Sequence, residues 1–227
     1  MARSQLLKDL VRGNESIENI LLRLKVILSD LDNELIMNWI DGELQGYVKE
    51  DVPSYRVLKG EIMGTYLLNY QYKYTNAPVP VEHVLDEERV NQLKTINITD
   101  SITALQNVLN DKNKDNYGKI IPTALCHYMS TEEFQIAGMR TIVASNQLDG
   151  IVSKVKSKLV NIVMELEKQF DNLDEMDIKS QVEENQSKKE KVILNIEQII
   201  YDGSIKVGDK NRFSKSKLVH WLGGKKD

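Results

Sequence analysis

The chain has 227 residues, room for one domain with an appendage or two small domains, and its 41% hydrophobic and 28% charged residues are those of a globular protein with a real core. A net charge of −4 disfavours a general nucleic-acid binder, and the single cysteine, Cys126, rules out an intrachain disulfide and a CxxC metal knuckle. The N-terminal residues lack a signal-peptide core, and no apolar run approaches the ~20 residues of a membrane span, so a soluble cytoplasmic protein without a transmembrane segment is expected.

Residues 4–11 predict a short helix with Leu6, Leu7, Leu10 and Val11 on one face and Gly13 as its stop. Ser16 caps a second helix striped by Ile17, Ile20, Leu21, Leu24, Ile27, Leu28 and Leu31. Asp32 is expected to cap a third, with Leu35, Ile36, Trp39, Ile40 and Leu44 inward and its end at Gly46. The short link between the last two favours an antiparallel pair. Glu34, Asp41 and Glu43 are read as the solvated face of the third helix.

After Pro53 the period falls to two. Residues 55–63 predict a strand, Gly64-Thr65 a turn, and Leu68, Tyr70, Tyr72 and Tyr74 the alternating positions of a second strand. Pro78 and Pro80 end this hairpin, because neither can donate to a sheet ladder. A short helix over 86–93, a strand fragment over 95–98 and a helix capped by Thr99 or Asp100 follow. Residues 110–118 predict a loop, Pro122 opens a helix to about Tyr128, and 134–143 predict a strand pairing with the hairpin. Ser145 is expected to cap the longest helix, which reaches Phe170 with Ile151, Val152, Val155, Leu159, Ile162, Val163 and Leu166 in one stripe. Residues 171–191 are charged and amide-rich and predict a linker or solvated helix. Residues 192–213 predict β structure, with a hairpin signal at Asp202-Gly203, before a basic end containing Lys215, Lys217 and Trp221.

Chemistry is sparse in this order of residues. His83, His127 and His220 are far apart, and adjacent Cys126 and His127 diverge on a helix, so neither a metal site nor a nucleophile–base pair is expected. Phosphate-cradling glycine loops are missing, and no cofactor is expected. The tyrosine ladder with Arg56 and Lys73 nearby has the aromatic content of a single-strand binder but too few basic residues, so a half-buried strand is preferred. The short β runs around Ile205 and Val207, cornered by Gly, Asp and Asn, suit either a small hairpin or stacking between chains.

The order of these elements resembles the AbiTii-type abortive infection domain of bacterial phage resistance. In that family a helix with Trp and Glu-Leu-x-Gly-Tyr precedes a Pro-x-Tyr-Arg strand, matched here by Trp39, Glu43, Leu44, Gly46, Tyr47, Pro53, Tyr55 and Arg56. The resemblance spans about residues 4–170, continues through the prolines of APVP and ITDSITALQNVL, and closes on the long helix. It implies a cytosolic domain associated with phage-triggered growth arrest or death, and it carries no settled catalytic residues. The tail also resembles short Asn/Gly-rich β tails of bacterial defence proteins that self-associate, although it lacks a clear pair of repeats.

The expectation is an α+β body over 1–170 with a small antiparallel sheet, a charged linker or solvated helix over 171–191, and a β tail over 192–227. The favoured function is a non-enzymatic sensor, adaptor or effector in phage defence, forming a homo-oligomer and touching a phage or host protein. Arg56, Tyr70, Tyr72, Tyr74, Ile205, Val207 and Trp221 are its candidate interaction residues. The alternative is a hydrolase or nuclease-like toxin assembled from distant residues, with Glu43, Arg56, Glu61, His83 and His127 the first to inspect.

Overall fold

Residues 3–48, 52–112 and 114–201 are described by a computed structural model of the chain. Its first helix, α1 (Gln5–Arg12), is capped by Ser4, whose hydroxyl accepts from the Leu7 N–H. Three of its four expected apolar positions are buried, while Val11 is exposed. Helix α2 (Ile17–Ser29) carries the Ser16 cap and buries the whole predicted stripe. The cap of α3 (Glu34–Gln45) is Asn33 rather than Asp32, because Asp32 adopts a left-handed φ of 50° in the link.

The hairpin is displaced by several residues from its expected position. One predicted strand is in fact two: β1 (Val57–Lys59) pairs antiparallel with β4 (Thr95–Asn97) in a separate two-stranded sheet, and β2 (Glu61–Leu68) joins the main sheet. Strand β2 runs straight through the expected turn at Gly64-Thr65. Glycine serves there for close approach: a Cβ on Gly64 would lie 2.5 Å from the Gly138 carbonyl oxygen. The turn falls instead at Asn69 and Tyr70, both left-handed, with the Gln71 N–H donating to the Leu68 oxygen at 3.1 Å. Strand β3 (Tyr72–Pro78) returns antiparallel to β2, and its edge position tolerates Pro78.

Helix α4 (Glu87–Lys94) has the Asp86 cap, and α5 (Ile102–Asn110) is capped by Ser101, one residue beyond the expected Asp100. The predicted loop is followed by a short strand, β5 (Gly118–Ile120), that was not expected, before α6 (Thr123–Met129) opens after Pro122. Strand β6 (Phe134–Ile142) pairs antiparallel with both β2 and β5, completing the order β3-β2-β6-β5. Helix α7 (Ser145–Gln169) begins at Ser145 itself, so its cap, Ala144, lies one residue before the expected one: the Ala144 N–H donates to the Gln147 side chain at 3.2 Å.

Of the two readings offered for 171–191 the helical one is seen, and the start of the expected β tail needs correction. Residues 171–201 form a 3-10 turn, a short helix α8 (Lys179–Glu184) and a long helix α9 (Gln186–Tyr201). Val192, Ile196 and Ile200 recur at helical spacing, and all three are fully buried with Leu173, Ile178 and Val182 in the main core. A boundary at 170 therefore cuts through that core. The rest of the expected hairpin, from Asp202 on, lies outside the described residues.

Two cores result. The larger lies among α1, α2, α3, α5, α7 and α9. The smaller fills the space between one face of the four-stranded sheet and the segments carrying α4 and α6, with Ile62, Tyr66, Val81, Val90, Cys126, Met129, Ile136 and Met139. The α+β expectation holds, with antiparallel sheets throughout. Among the described residues no helix is long and apolar enough to cross a membrane.

Candidate functional site

The residues that carry the family resemblance meet at one point, where α3 reaches a 3-10 turn at Ser54–Arg56. Glu43 and Arg56 are both fully enclosed. Arg56 forks onto the carboxylate, Nε to Oε1 at 3.0 Å and Nη2 to Oε2 at 2.5 Å. Its Nη1 donates to the carbonyl oxygens of Ile98 (3.2 Å) and Asp100 (2.8 Å). The Tyr47 and Tyr55 hydroxyls donate to Glu43 Oε1 at 2.8 and 2.6 Å, and Trp39 Nε1 donates to the Tyr55 hydroxyl at 2.8 Å. The Arg56 guanidinium stands over the Tyr47 ring, 5.0 Å from its centre. The Tyr47 ring also occupies the space that a Cβ on Gly42 would need.

This arrangement satisfies its own charges. Burial raises the pKa of the Tyr47 and Tyr55 hydroxyls, and the Glu43 charge pushes the same way. Burial opposes the Arg56 charge, yet the hydrogen bonds and charge of Glu43 outweigh it and raise the guanidinium further. No buried side-chain nitrogen or oxygen among the described residues lacks a partner. A site that binds or transforms a ligand needs an open group, and this cluster offers none. It is a joint, holding α3, the turn before β1 and the segment after β4.

Glu43 was expected in solvent, and its burial is the main functional correction on this helix. The signal was present in the spacing: Ile36, Trp39, Ile40 and Glu43 continue one buried face at i, i+3, i+4 and i+7. Asp41, by contrast, is half-exposed and pairs with Lys25 at 2.5 Å.

The other candidates separate. Glu61 opens β2, His83 closes a 3-10 turn after Pro80, and His127 lies exposed on α6. Among the described residues no group of three or more His, Cys, Asp or Glu could hold a metal ion. A broad open groove of about 1350 Å³ between α4, β4 and β5 is lined by Glu87, Glu88, Asn91, Asn97, Tyr117 and Lys119. The Tyr117 hydroxyl there donates to Asp100, and burial followed by this bond raises its pKa.

The tyrosines do come together. Tyr74 stacks on buried Tyr66 with ring centres 5.0 Å apart, and Tyr66 meets the edge of Phe134 at 5.3 Å. Tyr72 sits across from Leu68 in the next row, so Tyr72 and Tyr74 extend the sheet face of the smaller core past its covered part. Exposures of 67%, 60% and 42% for Tyr70, Tyr72 and Tyr74 make this the aromatic end of the sheet. Ile205, Val207 and Trp221 lie outside the described residues.

The chain was compared with protein families, curated proteins and solved structures. The family model described as AbiTii matches residues 4–191, which includes every residue of the Glu43–Arg56 joint. Neither the curated proteins nor the solved structures gave a match.

Proposed function

The chain belongs to the AbiTii family of abortive infection defence, and from that premise we propose that it acts without catalysis, through protein contacts and self-assembly in a bacterial cytoplasm. Its candidate contact residues are Tyr70, Tyr72 and Tyr74 on the β2–β3 hairpin, with Ile205, Val207 and Trp221 in the tail. Arg56 enters this reading only through the joint, since its side chain is enclosed by Glu43.

One observation carries the proposal. Tyr70 holds a φ of 57° at the second central position of the Leu68–Gln71 turn, within a three-residue hairpin loop, where a left-handed residue favours glycine. A tyrosine there costs about 1–2 kcal/mol of left-handed strain. Its ring is 67% exposed, so packing within the described fold does little to offset the strain. Strain kept at an exposed aromatic tip fits a residue retained for contact with another molecule.

The test replaces Tyr70 with Gly. The variant should melt higher than the parent by the relieved strain, yet protect cells less against phage challenge and assemble less in light scattering. Full protection and unchanged assembly in the stabilised variant would remove Tyr70 from the function. The alternative, a toxin with a composite active site, would require a reaction that survives loss of assembly.

A further inference from the structure

The sheet ends in two unlike edges. Strand β5 is three residues long, whereas β3 is seven, and β3 is paired on one side only among the described residues. Edge strands are usually blunted against pairing. Here the blunting covers half the strand: Asn76 is left-handed and Pro78 lacks an N–H. Residues 72–75 keep an extended, open edge with one charge, Lys73, and two exposed tyrosine rings on the same face.

The described core closes at Tyr201, and the next residues read Asp202-Gly203-Ser204-Ile205-Lys206-Val207-Gly208. Ile205 and Val207 are two apart, the period of a strand with one apolar face. We propose that residues 204–207 of one copy add to the β3 edge of a second copy, placing Ile205 and Val207 against the tyrosine face. This rests on the self-assembly reading above and names its two halves: the hairpin is the acceptor and the tail the donor. Main-chain bonds to the edge supply affinity, and the alternate side chains supply selectivity.

Reach argues for a second copy rather than the same one. Lys158 donates to the Ile199 oxygen at 2.7 Å and stands over the Tyr55 ring, which puts the end of α9 near the turn before β1. From Tyr201, four residues to Ile205 span at most about 14 Å. Tyr201 itself donates to the Leu35 oxygen on α3, in the larger core, at 3.4 Å, whereas Tyr66 and Tyr74 belong to the sheet face of the separate smaller core. A donor and an acceptor on different surfaces make a heterologous contact, which builds rings or open filaments rather than closed pairs.

The test uses full-length chains. Tyr74→Cys is made in one and Val207→Cys in another; the natural Cys126 is enclosed and does not compete. Mild oxidation of the mixture should give a mixed disulfide at several-fold higher yield than Val207→Cys with Tyr128→Cys, a position on α6 more exposed than Tyr74. Light scattering on the parent runs in parallel. Assembly without the Tyr74–Val207 adduct overturns this inference and leaves self-assembly standing, whereas a monomer at every concentration overturns both. A doubly substituted chain that closes on itself in dilute solution overturns the head-to-tail arrangement. Ile205→Asp with Val207→Asp, outside the described core, should abolish assembly with the melting temperature unchanged; persistent assembly counts against the proposal.

Discussion

Replacing Glu43 with Gln keeps the shape of the joint and removes its counter-charge. The carboxylate accepts four hydrogen bonds, three at Oε1 from Tyr47, Tyr55 and Arg56 Nε, and one at Oε2 from Arg56 Nη2. The amide has one oxygen, best placed where three donors converge. Its NH₂ then faces the Arg56 Nη2 donor, and the enclosed guanidinium keeps its Nε bond to the amide oxygen and its bonds to the Ile98 and Asp100 carbonyls but no counter-charge. Removing one partner of a buried ion pair costs about 3–5 kcal/mol. For a body of this size that lowers the melting temperature by about 6–20 °C. Urea unfolding of the full chain should show the midpoint falling with an unchanged slope. Combining Glu43→Gln with Arg56→Met should cost less than the two single changes added, because no unpaired cation remains. A Glu43→Gln chain within about 1 kcal/mol of the parent, additive with Arg56→Met, would refute the joint as a structural device. If protection against phage were also lost, the pair would have to act chemically.

Two further outcomes follow from burial. A chain ending at Phe170 loses Leu173, Ile178, Val182, Val192, Ile196 and Ile200 from the core. At about 1.5–3 kcal/mol per side chain this approaches or exceeds the whole stability of a domain, so the fragment should aggregate or bind a hydrophobic dye, while a chain ending at Tyr201 melts within a few degrees of the parent. Equal melting of the two fragments would contradict the docking of α9. In alkali, the raised pKa values of Tyr47, Tyr55 and Tyr117 mean that the fold favours their neutral forms. The stability they contribute is present below the unfolded tyrosine pKa of about 10 and is lost as pH rises above it. Absorbance of tyrosinate from these three should appear only together with unfolding, which circular dichroism at each pH checks.

The sequence made the helices of the body legible because their apolar spacing is long and regular, as in α2 and α7. The hairpin was legible as a hairpin but not in its register. Gly64 looks like a turn residue and is a packing residue, while the true turn uses Tyr70, which no propensity would choose. Helix α9 was hidden by β-branched content: Val192, Ile193, Ile196, Ile199 and Ile200 favour strand locally, and the surfaces of α3 and α7 override that preference. The joint was half legible. Arg56 stands out as a candidate residue, while its partner Glu43 sits 13 residues earlier on a helix face whose carboxylates read as solvated.

The place of α9 in the core also sets a timetable for synthesis. The apolar flank of α7 is complete at Gln169, and α9 is complete at Tyr201, 32 residues later. At about 5–20 residues per second, the ribosome leaves that flank without its cover for about 2–6 s. A chain abandoned in this interval carries a sticky, unfinished surface that chaperones and proteases can recognise. Completion of translation therefore becomes a condition for a closed core, and the cell meets a finished protein or a fragment marked for removal.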